Sequence, residues 1–193
     1  MRHSTVNKPD PDHLENQHFS DDPATQERWQ TLHDLIHNMH YGDLKLSDVE
    51  AINLCVNSLI KYKQEDRDYW QLPHETLNLG TGDCEDIAIL KFNMLLCLDG
   101  EPVLLLVTSD PEATKPTHMV TGYILPYRPW WKFWAKKVPT IFILDNNSEF
   151  CYPLQQTRYR VFRVLRDWDQ MMEAAEGMMK RFNWQTLEPV DNA

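Results

Sequence analysis

The stretch Gly80-Thr81-Gly82-Asp83-Cys84-Glu85-Asp86-Ile87-Ala88-Ile89-Leu90, or GTGDCEDIAIL, decides how this chain is read. Two glycines break the backbone, Asp83 then stands where a helix N-cap belongs, and Asp86 follows three residues on. The run beyond, to about Cys97, is apolar on nearly every side, with Ile87, Ala88, Ile89, Leu90, Phe92, Met94, Leu95 and Leu96. A helix apolar all round belongs in the middle of a domain. Its start places Cys84 among three carboxylates. Negative neighbours raise a thiol pKa and suppress the thiolate, so a reactive role for this sulfur needs a compensating charge.

Upstream of this helix, residues 1–23 are polar and rich in Asp, His, Asn and Pro, and read as a flexible arm. Trp29, Leu32, Ile36 and Met39 recur at helical spacing and predict an amphipathic helix over 24–40, ended by Gly42. Ser47-Asp48-Val49-Glu50 carries a capping-box pattern and predicts a second helix, with Val49, Ile52, Val56, Leu59 and Ile60 as its buried stripe. Asp66 to Leu77, which includes YWQLP, reads as a loop with a short turn.

Downstream, Gly100 in Leu98-Asp99-Gly100 stops the central helix, and the period changes to that of strands. Pro102–Thr108, His118–Leu125 and Pro139–Asp145 read as strands, and Tyr159–Leu165 alternates as a fourth. A C-terminal helix over about Trp168–Phe182 carries Met171, Met172, Ala175, Met178 and Met179 as core filling. Helices, then a central buried helix, then an antiparallel sheet make an α+β domain over 24–187, followed by a tail at 188–193.

The global numbers exclude several classes. A chain of 193 residues with 42% apolar and 25% charged residues is long enough, and ordinary enough, for one globular domain. Its net charge of −10 argues against nonspecific binding to nucleic acid or to an anionic membrane. The N-terminus has no apolar core of a signal peptide, which predicts a cytoplasmic protein if the chain is complete. Cys55, Cys84, Cys97 and Cys151 show no paired spacing and spell neither a disulfide framework nor a zinc site. Cys55 and Cys97 fall in apolar helical patterns and read as core, while Cys151 follows a loop with no evident partner. His33, His37 and His40 read as a polar helix face rather than as metal ligands.

His118 opens one strand and Asp145 closes the next. If the two strands form a hairpin, these residues are cross-strand neighbours. If the buried helix packs on their face, Cys84 meets them, giving nucleophile, base and orienting carboxylate. The backbone N–H of Cys84 is then the first candidate oxyanion donor, with Trp70 or Gln71 of the YWQLP loop as candidates for the second.

DYWQLPHETL, GTGDCEDIAILKF, THMVTGYI and FILDN resemble, in order and spacing, the bacterial transglutaminase-like cysteine peptidases, periplasmic proteases that release biofilm adhesins from the cell surface. The resemblance covers roughly residues 25–165, and GDCED is its specific part. It implies a papain-like/transglutaminase-like core, with Cys84 as nucleophile, His118 as general base and Asp145 as orienting carboxylate. It also implies a Ca²⁺ site at Asp83, Glu85 and Asp86, a protein substrate cut between small residues such as paired alanines, a periplasmic location and restraint by a cyclic-di-GMP-controlled receptor. Calcium would cancel the acids around Cys84, whose pKa His118 and the helix start would then keep low.

Two rivals stand beside this reading: a transglutaminase-type acyl transferase using the same three residues, and a non-catalytic binding module on the same fold. One segment departs from the family, YRPWWKFWAKKVPT between the His and Asp strands. Its Trp130, Trp131, Phe133 and Trp134 beside Lys132, Lys136 and Lys137 form either a hairpin end folded back on the domain or a docking surface for a partner or a membrane.

Overall fold

The computed structural model describes residues 22–39, 41–64, 69–129, 131, 133–167, 169–171 and 173, with the backbone of 182–183 and 188–189. Helix α1 spans Pro23–His37, and its first turn is capped by Asp22, whose carboxylate accepts from the Thr25 N–H at 2.9 Å. Helix α2 spans Leu46–Leu59. It starts earlier than the Ser47 motif predicts, because Asp48 rather than Glu50 reaches back, accepting from the Lys45 N–H at 2.8 Å. Val49, Ile52, Val56 and Ile60 are buried as expected, with Leu59 packed partly against them.

The segment read as a loop contains a short helix, α3, over Pro73–Leu79. Three local features make it. Pro73 fits the first helical position, the Glu75 carboxylate accepts from the Leu72 N–H at 2.7 Å, and Gly80 closes it in the left-handed region at φ 65°. Arg28 of α1 holds the far end, donating from Nε to the Leu77 carbonyl at 2.6 Å and from Nη2 to the Asn78 carbonyl at 2.9 Å. Strand β1 (Lys61–Tyr62) pairs in parallel with β2 (Thr81–Gly82), so the turn before Cys84 is anchored on both sides.

Helix α4 spans Cys84–Cys97, as the GTGDCEDIAIL stretch predicts. It ends with Asp99 at φ 58°, while Gly100 keeps an ordinary φ. Gly100 is needed for space instead, since a Cβ there would lie 2.7 Å from the Leu95 carbonyl oxygen and 2.8 Å from the Tyr123 ring.

The main sheet among the described residues has the order β6-β5-β4-β3-β7, all antiparallel. Its strands are β3 (Pro102–Thr108), β4 (His118–Tyr127), β5 (Val138–Leu144), β6 (Tyr152–Pro153) and β7 (Arg160–Leu165). A further pair, β8 (Phe182–Asn183) with β9 (Glu188–Pro189), places Phe182 in extended backbone rather than at the end of a helix. Residues 169–171 and 173 are helical and Met171 is buried, whereas Met172, Ala175, Met178 and Met179 lie outside the described residues, as do His40, Trp130, Lys132 and the arm before residue 22. No helix of the described residues is long and apolar enough to cross a membrane.

Helix α4 fills the space between the other helices and the sheet. Ile87, Leu90, Met94 and Leu95 meet α2 residues together with Tyr123, Phe142 and Leu144, while Ala88, Ile89 and Phe92 meet Leu104, Leu106 and Met119. The opposite face of the sheet, with Val103, Leu105, Val107, Val120 and Ile143, packs against Leu154, Tyr159 and Val161. The helix therefore lies on the face of Met119, Thr121 and Tyr123, not on that of His118 and Asp145 as expected. The alternation of β4 decides this, and the Thr121 hydroxyl seals the contact by donating to the Ala88 carbonyl at 2.6 Å.

Candidate active site

Cys84 is the first residue of α4, set at the end of the sheet where β4 begins. The backbone N–H of Met119, the residue after His118, is near enough to its sulfur to favour the thiolate. Thus the nucleophile candidate lies beside the start of β4, at the residue next to the base candidate in sequence, although the helix packs on the other face.

His118 Nε2 lies 3.1 Å from Asp145 Oδ1. Thr121 of β4 pairs with Leu144 of β5, so His118 and Asp145 stand diagonally across the hairpin end. Burial pushes the Asp145 carboxyl up, but hydrogen bonds from His118, the Tyr159 hydroxyl and the Asn147 N–H outweigh it and hold the pKa at about 2. An ionised acceptor on Nε2 keeps the ring proton there, leaving Nδ1 as the nitrogen able to receive one. The Tyr159 ring stands beside that of His118, centroids 5.8 Å apart, and its hydroxyl pKa is raised by burial and by donation to Asp145.

The loop that carries Asp145 is braced from below. Asn57 of α2 donates to the carbonyls of Asp145 at 2.9 Å and Ser148 at 3.0 Å. Asn53 donates to the Ser148 carbonyl at 2.7 Å and accepts from Lys91 Nζ of α4 at 2.7 Å. Lys91 is fully buried, and burial lowers its pKa to about 7 against the partial pull of the Asp145 and Cys151 charges.

The acids at the helix start divide into two groups. Asp83 is the N-cap, its Oδ1 accepting from the Glu85 N–H at 3.1 Å. Cys84 Sγ donates to Glu85 Oε2 at 2.8 Å, and ligand atoms of Asp83, Cys84 and Glu85 all lie within 4.8 Å of one another. Burial, then the nearness of Asp83, pushes the Glu85 carboxyl up. Asp86 is drawn away from this group and is completely buried. Its Oδ1 accepts from the Gln71 N–H at 2.7 Å and its Oδ2 from the Asp83 N–H at 3.0 Å.

Without a cation the thiol of Cys84 is pushed far up, first by burial and then by Glu85, which outweigh the Met119 N–H. The helix start alone does not produce the low pKa expected. Of the two oxyanion candidates, Gln71 commits its backbone N–H to Asp86. Trp70 packs in one cluster with Ala88 and Met119, and its buried Nε1–H has no hydrogen-bond partner among the described residues. Sequence reasoning missed Tyr159, Asn57, Asn53 and Lys91; only the lysine on an otherwise apolar helix was a signal.

Residues 13–121 match a family model described as a transglutaminase-like domain. No curated protein matches with significance. Among solved structures, Legionella pneumophila LapG superposes with a TM-score of 0.60 at 20% identity, covering 83% of this chain and 90% of that one. Its calcium-bound form gives 0.57 at 21% identity, covering 79% and 92%, and an EGTA-treated form gives 0.58 at 20%. These structural likenesses concern the fold.

Proposed function

Because the chain belongs to the transglutaminase-like domain family, we propose that it is a calcium-dependent cysteine endopeptidase. The observation that carries this reading is the nearness of the Cys84 sulfur to the Met119 N–H at the start of β4, beside a His118 that is bonded to an ionised Asp145. In this reading Cys84 attacks a peptide carbonyl carbon while His118 Nδ1 takes the thiol proton. Asp145 fixes the ring through Nε2 and balances the imidazolium. The carbonyl oxygen, now an anion, takes the Cys84 backbone N–H at the helix start and Trp70 Nε1–H as donors. His118 returns the proton to the leaving amine, and water activated by the same ring hydrolyses the thioester.

Asp83 and Glu85 fit an oxygen-seeking divalent ion, because two carboxylates crowded in a half-buried position repel each other as bare anions. Calcium bound there supplies positive charge that compensates them and the carboxylate touching the thiol. Asp86 lies outside this ligand set and acts as a brace. By family likeness the substrate is a flexible segment of a surface adhesin cut between small residues, in the periplasm, with a cyclic-di-GMP-controlled receptor as restraint.

Alkylation at about pH 6, well below an ordinary thiol pKa of about 8.5, tests the reading. With calcium, Cys84 should label faster than Cys151, and both chelator and His118→Ala should abolish the difference. Labelling of Cys84 no faster than Cys151 would favour a binding module. Amide product formed on adding an amine acceptor to a cleavage assay would favour acyl transfer.

A further inference from the structure

We propose that the turn joining β4 to β5 docks this protein onto an anionic lipid surface. Trp131, Phe133 and Trp134 are 51%, 70% and 73% exposed, so this end of the hairpin does not fold back on the domain. Phe133 and Trp134 pack edge to face at 5.0 Å, and Arg128 Nη1 donates to the Ala135 carbonyl at 3.2 Å, so the rings are held by the turn itself. Exposed tryptophan is costly in water and at home where hydrocarbon meets headgroups.

Charge selects the occupant. Residues 127–140 contain Arg128, Lys132, Lys136 and Lys137 and no Asp or Glu, in a chain with 19 basic and 29 acidic residues. Of these, Arg128, Lys136 and Lys137 are exposed beside the rings. Rings and cations on one short turn match the chemistry of an anionic bilayer interface. A nucleic acid instead needs a basic groove that follows its strand, and its length would sweep it across the acidic body.

The topology keeps the tip independent of the acids at the Cys84 end. His118 and Tyr127 are the two ends of β4, so about 30 Å of strand separates the tip from Asp83, Glu85 and Asp145, while Asp43 and Glu101 stand nearer, beside Tyr123. That length of strand exceeds the screening length of about 8 Å at physiological salt several times over. The acids at the Cys84 end therefore do not cancel the tip's attraction. Docking by the tip also leaves the Cys84 end of the sheet turned away from the lipid.

The test is sedimentation of the full chain with phosphatidylcholine vesicles, with and without about a quarter phosphatidylglycerol. Anionic vesicles should bind on the order of tenfold more protein at low salt, with a blue shift of tryptophan emission. The double variant Trp131→Ala/Trp134→Ala should lose binding, and Lys136→Glu/Lys137→Glu should lose the preference for anionic lipid. These side chains are exposed, and an unchanged melting temperature verifies that both variants fold. No binding, equal binding to both vesicles, or tip variants that bind like the parent would overturn the proposal. So would self-association lost in the tryptophan variant without any vesicle response.

Discussion

Replacing Lys91 with methionine removes a charge from the middle of α4 while keeping the length of the side chain. The parent lysine falls from 10.5 to about 7 because burial penalises its ammonium form. Between those values the unfolded chain holds a proton that the folded chain does not, so the stability of the parent rises with pH there. At 1.36 kcal/mol per pH unit, the cost of burying Lys91 is ~4 kcal/mol at pH 7 and ~2 kcal/mol at pH 9. The variant escapes that cost but strands Asn53 Oδ1, which Lys91 Nζ now serves at 2.7 Å. An unsatisfied buried acceptor costs about 1–3 kcal/mol. Lys91→Met should therefore be the more stable protein at pH 7 by roughly 1–3 kcal/mol, with the two curves converging near about pH 9. Urea unfolding of both proteins across that range measures the difference directly. A gap that stays constant with pH, or a variant that is weaker at pH 7, would refute the reasoning.

Asp145 works in the opposite sense. Its carboxyl is depressed from 3.8 to about 2, so its stabilisation is present above about pH 4 and is lost as pH falls towards 2. That is about 2 kcal/mol, which Asp145→Asn should remove from the acid limb of a stability titration. Glu85→Gln deletes the charge that raises the Cys84 thiol and leaves only a weaker amide acceptor, so the chelated variant should alkylate at Cys84 faster than the chelated parent. An equal or slower rate would contradict the assigned cause. Asn57→Ala frees the carbonyls of Asp145 and Ser148, and at about 1–2 kcal/mol of lost positioning should lower kcat on the order of tenfold with KM little changed.

The centre of the fold was legible because its signals are local. Two glycines, a capping aspartate and an all-round apolar run define α4, and Pro102–Thr108 forms a strand with the boundaries read from it. The family resemblance, read from GDCED and three further segments, agrees with the transglutaminase-like domain match over residues 13–121. Helix α3 was overlooked although Pro73, Glu75 and Gly80 mark both its ends, because seven residues show no periodicity. The parity of β4 was misread because alternation says which residues share a face, not which face a helix covers. The partnership of Lys91 with Asn53, and of Asn57 with the Asp145 loop, joins helices and loops far apart in sequence and left no pattern to find.

Asp86 gives the site a property that neither neighbour has alone. One carboxylate grips the backbone before Cys84 with one oxygen and the YWQLP loop with the other. The start of α4 and the YWQLP loop are thereby riveted at a common point, so shifting one drags the other. Any variant that tunes the loop for a new substrate, as at Trp70, will be felt at the nucleophile, and the separation between them is adjustable only by giving up the rivet.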